Sequence, residues 1–225
     1  MNILYEDNHL IAINKTGCDL VQGDSTGDEP LVNTVKDYVK KKYNKAGEVY
    51  LGIVHRIDRP VTGTVLFART SKALVRMNKM FQDKEVKKKY WAIVKNLPPE
   101  DEATLTHYLL KDSSKNKSYA YTKKRPGAKE AVLSYKLIGS VARYYLLEIE
   151  LITGRHHQIR CQLAKIGSPI RGDLKYGYPR SNANGGISLH AHKLEFLHPV
   201  TKELVSIVAP IPKNDNLWKE FENIC

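Results

Sequence analysis

His55-Arg56-Ile57-Asp58-Arg59, followed by Thr62-Gly63-Thr64, sets one carboxylate between two guanidiniums just after the apolar pair Ile53-Val54. An arginine close to Asp58 in space would keep the carboxylate ionised and competent as a nucleophile or base. The same residues would serve equally as a buried ion pair tying two parts of the chain together. In a strand Arg56 and Asp58 would share a face, whereas in a turn they would splay, so the sequence leaves both readings open. A second basic cluster, Gly154-Arg155-His156-His157-Gln158-Ile159-Arg160, leads into a helix-like segment roughly a hundred residues on and could face the first. It offers backbone donors and cations to a phosphate, or is simply a strand-to-helix turn carrying a solvated arginine.

Metal and nucleotide chemistry find little support. His156-His157 and His190-Ala191-His192 invite a metal reading, and His157 with Cys161 has the i,i+4 spacing of helix ligands. No HExxH, nearby second cysteine or acidic cluster completes such a site, so no metal is expected. The kinase catalytic loop places Asp directly after Arg, unlike Arg56-Ile57-Asp58, and no GxGxxG precedes it. A GxxxxGK[ST] loop is missing too, which removes support for ATP or GTP use.

The formal charge of +12 on 225 residues favours a polyanionic partner, nucleic acid ahead of membrane, because no long basic amphipathic segment stands out. With 42% hydrophobic and 27% charged residues the chain reads as globular, either one domain or two closely joined lobes around a cleft. Cys18, Cys161 and Cys225 cannot all pair and form no CxxC, which suits a reducing compartment, and Met1–Asp7 has no export character. A cytoplasmic location is expected. Cys225 is expected at a frayed end.

Positioning these clusters requires strands. Ile3-Tyr5 and Leu10-Asn14 flank the turn Glu6-Asp7-Asn8, and the polar stretch from Asp19 to Pro30 is a loop. Leu31, Val35 and Tyr38 recur at helix spacing, and the helix ends in Lys40-Lys41-Lys42, where cations suit the dipole or an RNA. Ile53-Val54 and Thr64–Ala68 read as strands. Ser71 caps a helix that buries Leu74, Met77 and Phe81. Lys87–Val94 is a strand with Tyr90 and Trp91 in its middle. Thr104–Leu110 suits a strand or short helix, Asp112–Ser118 a polar turn, and Lys123–Gly127 an exposed basic loop. Tyr145, Leu147, Ile149 and Leu151 alternate as a strand, and Ile159, Leu163 and Ile166 mark a helix closed by Gly167. A long loop from Gly172 to Gly186 precedes strands Leu189–Phe196 and Leu204–Val208, and Leu217–Phe221 docks as a terminal helix through Trp218 and Phe221. About eight to ten strands with few helices predict an α+β fold: a mixed, mostly antiparallel central sheet with flanking helices and loops.

Taken together these blocks resemble the RNA pseudouridine synthases of the RluA type. His55-Arg56-Ile57-Asp58 through Thr62-Gly63 resembles the family's HRLD signature, and Lys88-Lys89-Tyr90-Trp91-Ala92 its Lys-x-Tyr-x-Ala block. Thr153–Arg160 is similar to Thr-Gly-Arg-x-His-Gln-Ile-Arg, followed by Gly167, Pro169-Ile170, Gly172-Asp173 and Tyr176-Gly177. Lys15-Thr16-Gly17-Cys18 loosely matches Lys-Pro-x-Gly, and Leu189–Phe196 with His198-Pro199 the closing block. Ile57 replaces the signature Leu, and Val61-Thr62 stand where Thr-Ser is commoner. The blocks run in family order over roughly residues 3–210.

The resemblance implies the pseudouridine synthase catalytic fold over residues 1–225 as a single catalytic domain, with no separate N-terminal RNA-binding domain. It implies an isomerase that needs no cofactor and acts as a monomer on structured RNA, ribosomal ahead of transfer RNA. By the same resemblance Asp58 is the essential carboxylate, Arg160 its ion partner and Tyr90 the residue lying against the uracil. Arg56 would enter the space left by an extracted nucleotide. Arg59, Lys87, Lys88, Lys89, Arg125 and Arg155 would contact phosphates. Two rivals remain: a catalytically silent RNA-binding or ribosome-assembly protein on the same body, and a different uridine-directed enzyme.

Overall fold

Side chains that alternate between two apolar environments run through the central strands, and they build one 11-stranded sheet. The computed structural model describes residues 1–23 and 27–222; Cys225 and part of the loop before the first helix lie outside the described residues. The strands are β1 Asn2–Glu6, β2 Leu10–Lys15, β3 Gly52–Ile53, β4 Thr62–Ala68, β5 Lys87–Val94, β6 Glu102–Asp112, β7 Lys117–Tyr121, β8 Lys129–Val141, β9 Tyr144–Leu151, β10 Leu189–Leu197 and β11 Leu204–Val208. The helices are α1 Leu31–Lys42, α2 Ser71–Gln82, α3 Gln158–Lys165 and α4 Asn216–Glu222, with a 3-10 turn at Leu174–Tyr176. The order across the sheet is β1-β2-β4-β10-β5-β9-β8-β6-β7, with β3 on β4 and β11 on β10. Among the described strands only β4 and β10 pair in parallel. The α+β class read from the sequence is the observed one.

The period of two divides the core between the faces. Ile11, Ile13, Val65, Phe67, Tyr90, Ala92 and Val94 pack with α1 and α3. Leu10, Ala12, Leu66 and Ala68 point the other way, onto Met77 of α2. Ile93 joins Trp218 and Phe221 of α4 on that second face. Truncating the fully buried Met77 to alanine would cost about 2–5 kcal/mol.

Three details differ from the sequence reading. The segment expected to be turn or unassigned holds β7 and β8, so the sheet exceeds eight to ten strands. Thr70, not Ser71, caps α2: its side chain accepts from Ala73 N at 3.2 Å. Leu74 and Phe81 are only partly buried: both pack against the core, and the Phe81 ring also stacks on His55 at 5.1 Å.

Gly63 explains how β4 approaches β10. Its φ is +110°, and a Cβ there would sit 2.4 Å from the Ala191 carbonyl oxygen. Any side chain would force the parallel pair Ala191–Gly63 apart. Beside it, Thr62 Oγ1 lies 2.8 Å from His190 Nδ1, which fixes the start of β4 on the first residues of β10.

Candidate active site

The connector between β3 and β4 carries Asp58, and its shape has local causes. His55 Nε2 accepts a hydrogen bond from Leu66 N at 3.1 Å, so the ring takes the place of a backbone partner beyond the end of β3. Burial, helped by the charge of Lys88, depresses the His55 pKa to about 4, which keeps the ring a neutral acceptor. Val61 N closes a turn on Asp58 O at 3.0 Å. Lys15 is 1% exposed and donates to the carbonyls of Thr16, Asp19 and Arg59 at 2.7, 2.9 and 2.8 Å. That ammonium ties the end of β2 to the turn behind Asp58. Burial lowers its pKa to about 8 against the attraction of Asp19 and Asp58.

From the other side, β9 runs into α3 through Thr153–His157. Gln158 organises this entry: its Oε1 accepts from Thr153 Oγ1 at 2.7 Å and from Arg155 N at 2.9 Å. The Arg155 backbone donor, offered to a phosphate in the sequence reading, is therefore taken by the Gln158 side chain. Arg160, two residues further on, is buried and donates to three carboxylate oxygens. Its Nε and Nη2 hold Asp173 at 2.7 and 2.9 Å, and its Nη1 reaches Asp58 Oδ2 at 3.0 Å. Burial opposes the guanidinium charge, but bonds and attraction from Asp173 and then Asp58 outweigh it and raise the Arg160 pKa.

Tyr90 comes from β5, whose register with β9 pairs it with Ile149. The residue is 9% exposed and borders the cavity beside Asp58. Burial, then the charge of Asp58, raises its pKa, so the phenol stays protonated. The cavity, about 120 Å³, is bordered by Asp58, Tyr90, Arg160, Val61, Leu151 and Leu189. It shares Arg56, Asp58, Tyr90 and Arg155 with a wider groove of about 720 Å³, to which Lys88 and Lys111 also contribute. A carboxylate, a phenol and a buried guanidinium thus converge on a partly apolar hole at the bottom of a basic groove. Such a site suits a flat ring inserted edge-on, with the carboxylate at its attachment point.

The residues expected from the sequence separate into two groups. Asp58, Tyr90 and Arg160 meet, and Arg56, Arg59, Lys88 and Arg155 line the groove. Both Arg56 and Arg59 border the groove beside Asp58, but their hydrogen bonds go elsewhere. Arg56 donates to Gln22 Oε1 at 3.2 Å, and Arg59 pairs with Asp28 at 2.6 Å. Lys87 and Lys89 alternate with Lys88 and face away from the groove, toward Glu195 at 4.0 Å and Glu148 at 2.6 Å. Arg125 stands over the Tyr121 ring at 4.1 Å, in the loop after β7 and outside the groove lining. His157 and Cys161 do not converge: Cys161 Sγ donates to Ser118 O, while His157 faces Tyr176 and Asp58. Among the described residues no group of three or more His, Cys, Asp or Glu could hold a metal.

Residue-by-residue reading missed Asp173, Lys15 and Tyr176. All lie in the blocks that carry the family resemblance, which was the signal available. Nothing in their types or local spacing distinguishes them from ordinary polar residues.

Comparison with known proteins meets the site at this point. The RNA pseudouridylate synthase family matches residues 9–165, which takes in Asp58, Tyr90 and Arg160, and the chain belongs to that family. It is 34% identical to an uncharacterized RNA pseudouridine synthase of Synechocystis sp., over 94% of this chain and 66% of that one. To the ribosomal large subunit pseudouridine synthase C of Buchnera aphidicola subsp. Schizaphis graminum it is 34% identical, over 99% and 70%. To the tRNA pseudouridine synthase C of Vibrio cholerae it is 29% identical, over 97% and 93%. The chain therefore spans about two thirds of the length of the first two relatives. Human RNA Pseudouridylate Synthase Domain Containing 4 shares the fold, with a TM-score of 0.81 at 24% identity, over 97% of this chain and 92% of that one.

Proposed function

We propose that this chain is an RNA pseudouridine synthase with Asp58 as its reacting carboxylate. The observation that carries the reading is the Asp58–Arg160 pair set beside Tyr90 at one cavity. In the reaction the bond from ribose C1′ to uracil N1 breaks, the base turns, and C1′ bonds to C5. The proton leaves C5 and N1 gains one, so the product is an isomer and no oxidant, reductant or cofactor enters the balance.

Asp58 either stabilises positive character at C1′ or attacks it, the choice open to a carboxylate in retaining glycosidases. Arg160 keeps Asp58 ionised and oriented, and is itself held by Asp173. Tyr90 packs against the uracil, its hydroxyl toward the ribose. The base must leave its stack to reach this depth, and Arg56 at the groove fills the space behind it. Lys88, Arg155 and Lys111 supply phosphate contacts along the groove.

The substrate is structured RNA, ribosomal RNA ahead of transfer RNA. Higher identity to a ribosomal enzyme, 34% against 29%, supports that order. A transfer-RNA substrate has its own support in the near full-length match to a tRNA enzyme, of which 93% is covered. The protein works as a monomer in the cytoplasm, a compartment that suits the free thiols of Cys18 and Cys161. Mapping pseudouridines across total RNA from cells with and without the gene tests both choices. Loss of one or a few ribosomal sites is the expected result. Loss of a transfer-RNA site alone would reverse the preference, and loss of none would favour a silent RNA binder.

A further inference from the structure

We propose that His157 is a positioning residue for Asp58, held by Tyr176 in the one tautomer that presents an N–H to the carboxylate. The proposal rests on the reading of Asp58 given above.

The donors and acceptors around Tyr176 leave little freedom. Ser118 N donates to Tyr176 Oη at 2.9 Å, and among the described residues the one other partner of that oxygen is His157 Nδ1, also at 2.9 Å. The backbone N–H must donate, and among the described residues His157 Nδ1 is the one acceptor paired with the phenol oxygen, so a proton on Nδ1 would leave the phenol proton unpaired. Nδ1 then accepts, and the ring carries its proton on Nε2. Nε2 lies 3.6 Å from Asp58 Oδ2, the same oxygen that Arg160 Nη1 holds at 3.0 Å. That distance is long for a hydrogen bond, as such contacts often are before substrate closes a site. With substrate bound, both donors would occupy Oδ2 and leave the other oxygen, Oδ1, for the reacting carbon.

The surroundings keep the imidazole neutral. His157 is 8% exposed, stacked on His156 at 3.8 Å and edge-on to Tyr176 at 5.6 Å. Burial, then the charges of Arg160, His156, Lys175 and Lys111, push its pKa down to about 2. Asp58 is the anion facing the ring, and it does not reverse that balance. A neutral ring has two tautomers, and the inverted one would aim a lone pair at the carboxylate. Tyr176 decides between them. The left-handed backbone of His157, φ 52°, shows that the chain accepts local strain to place this ring.

Two measurements on the full-length protein test the proposal. The first is long-range ¹H–¹⁵N correlation on histidine-labelled protein between pH 5 and 8, with His157 assigned by its loss in H157Q. The expected result is an Nε2–H tautomer that does not titrate in this range and changes in Y176F. An Nδ1–H tautomer, titration near the ordinary histidine value, or indifference to Y176F would overturn the proposal.

The second is the single-turnover rate at saturating RNA. Leucine and glutamine carry the same left-handed backbone penalty, but only glutamine returns an N–H near Nε2. H157L should slow the chemical step about 10- to 100-fold, the scale of a hydrogen bond to a charged group, with RNA affinity unchanged. H157Q should recover most of that loss. Y176F should slow the parent about tenfold yet cost H157Q almost nothing, because glutamine needs no tautomer selected. Equal costs of Y176F in both backgrounds would show a purely structural tyrosine. A parent protein that forms no pseudouridine contradicts the proposed function instead, and the tautomer alone then decides the role of Tyr176.

Discussion

Arg160 Nη1 and Asp58 Oδ2 lie 3.0 Å apart although 102 positions separate them in the chain. The guanidinium gives two further donors to Asp173, which is 1% exposed. One buried cation thus joins the β3–β4 connector, the entry of α3 and the loop after it. An uncompensated buried charge is costly, so breaking this pair should cost about 3–5 kcal/mol. D173N should therefore lower the urea midpoint markedly and slow catalysis. A variant as stable and as fast as the parent would show that Arg160 needs no such anchor.

Tyr90 should separate packing from chemistry. Phenylalanine keeps the ring among Ile149, Val61 and Leu189 but removes the hydroxyl, so Y90F should melt close to the parent. If the hydroxyl reaches the ribose, the single-turnover rate should drop about 10- to 100-fold, the range of a positioned acid–base group. Y90L should lose the base contact as well and bind RNA more weakly. Parental activity in Y90L would remove Tyr90 from the site.

How much of this site could be read in advance differs from residue to residue. Asp58 and Arg160 were legible through their motifs, and the helix and strand on either side through periodicity. The alternation along β5 was legible too, and it implies that Lys87 and Lys89 turn away from Lys88 and Tyr90. Grouping the three lysines by charge ignored that period. β8 carried the same signal in Ala131, Leu133, Tyr135 and Leu137, interrupted only where Gly139 shifts the register against β9. The partnership of Asp173 with Arg160 was not legible, because it depends on how the loop after α3 returns beneath the helix.

Removing these charges one at a time separates the two faces of β5. K88A and R56A should each weaken RNA binding and reduce the salt slope by about 1, as loss of one phosphate contact does. K87A and K89A should leave both within error, because their partners are Glu195 and Glu148 on the opposite face. Equal effects from all four lysine and arginine variants would mean that RNA wraps around both faces of the sheet.

Acid should destabilise the fold before carboxylates titrate. Burial holds His55 and His190 at pKa values of about 4, and His157 at about 2. Their unfolded value is about 6.5, so below that pH the unfolded chain binds more protons than the folded one. Their stabilising contribution is complete above about 6.5 and is lost as pH falls toward the folded values. The urea midpoint should therefore drop between pH 7.5 and pH 5. A flat profile over that window would show these rings to be solvated.

The reacting carboxylate is tested most directly by giving purified parent and D58N protein to total RNA from cells lacking the gene, then mapping pseudouridine. Asparagine keeps the shape of Asp58 but neither its charge nor its nucleophilicity, and catalytic carboxylates contribute at least about 100-fold. The parent should restore pseudouridine at one or a few uridines, while D58N binds the same RNA and restores none. Pseudouridine formed by D58N at more than about a tenth of the parental single-turnover rate would contradict the account.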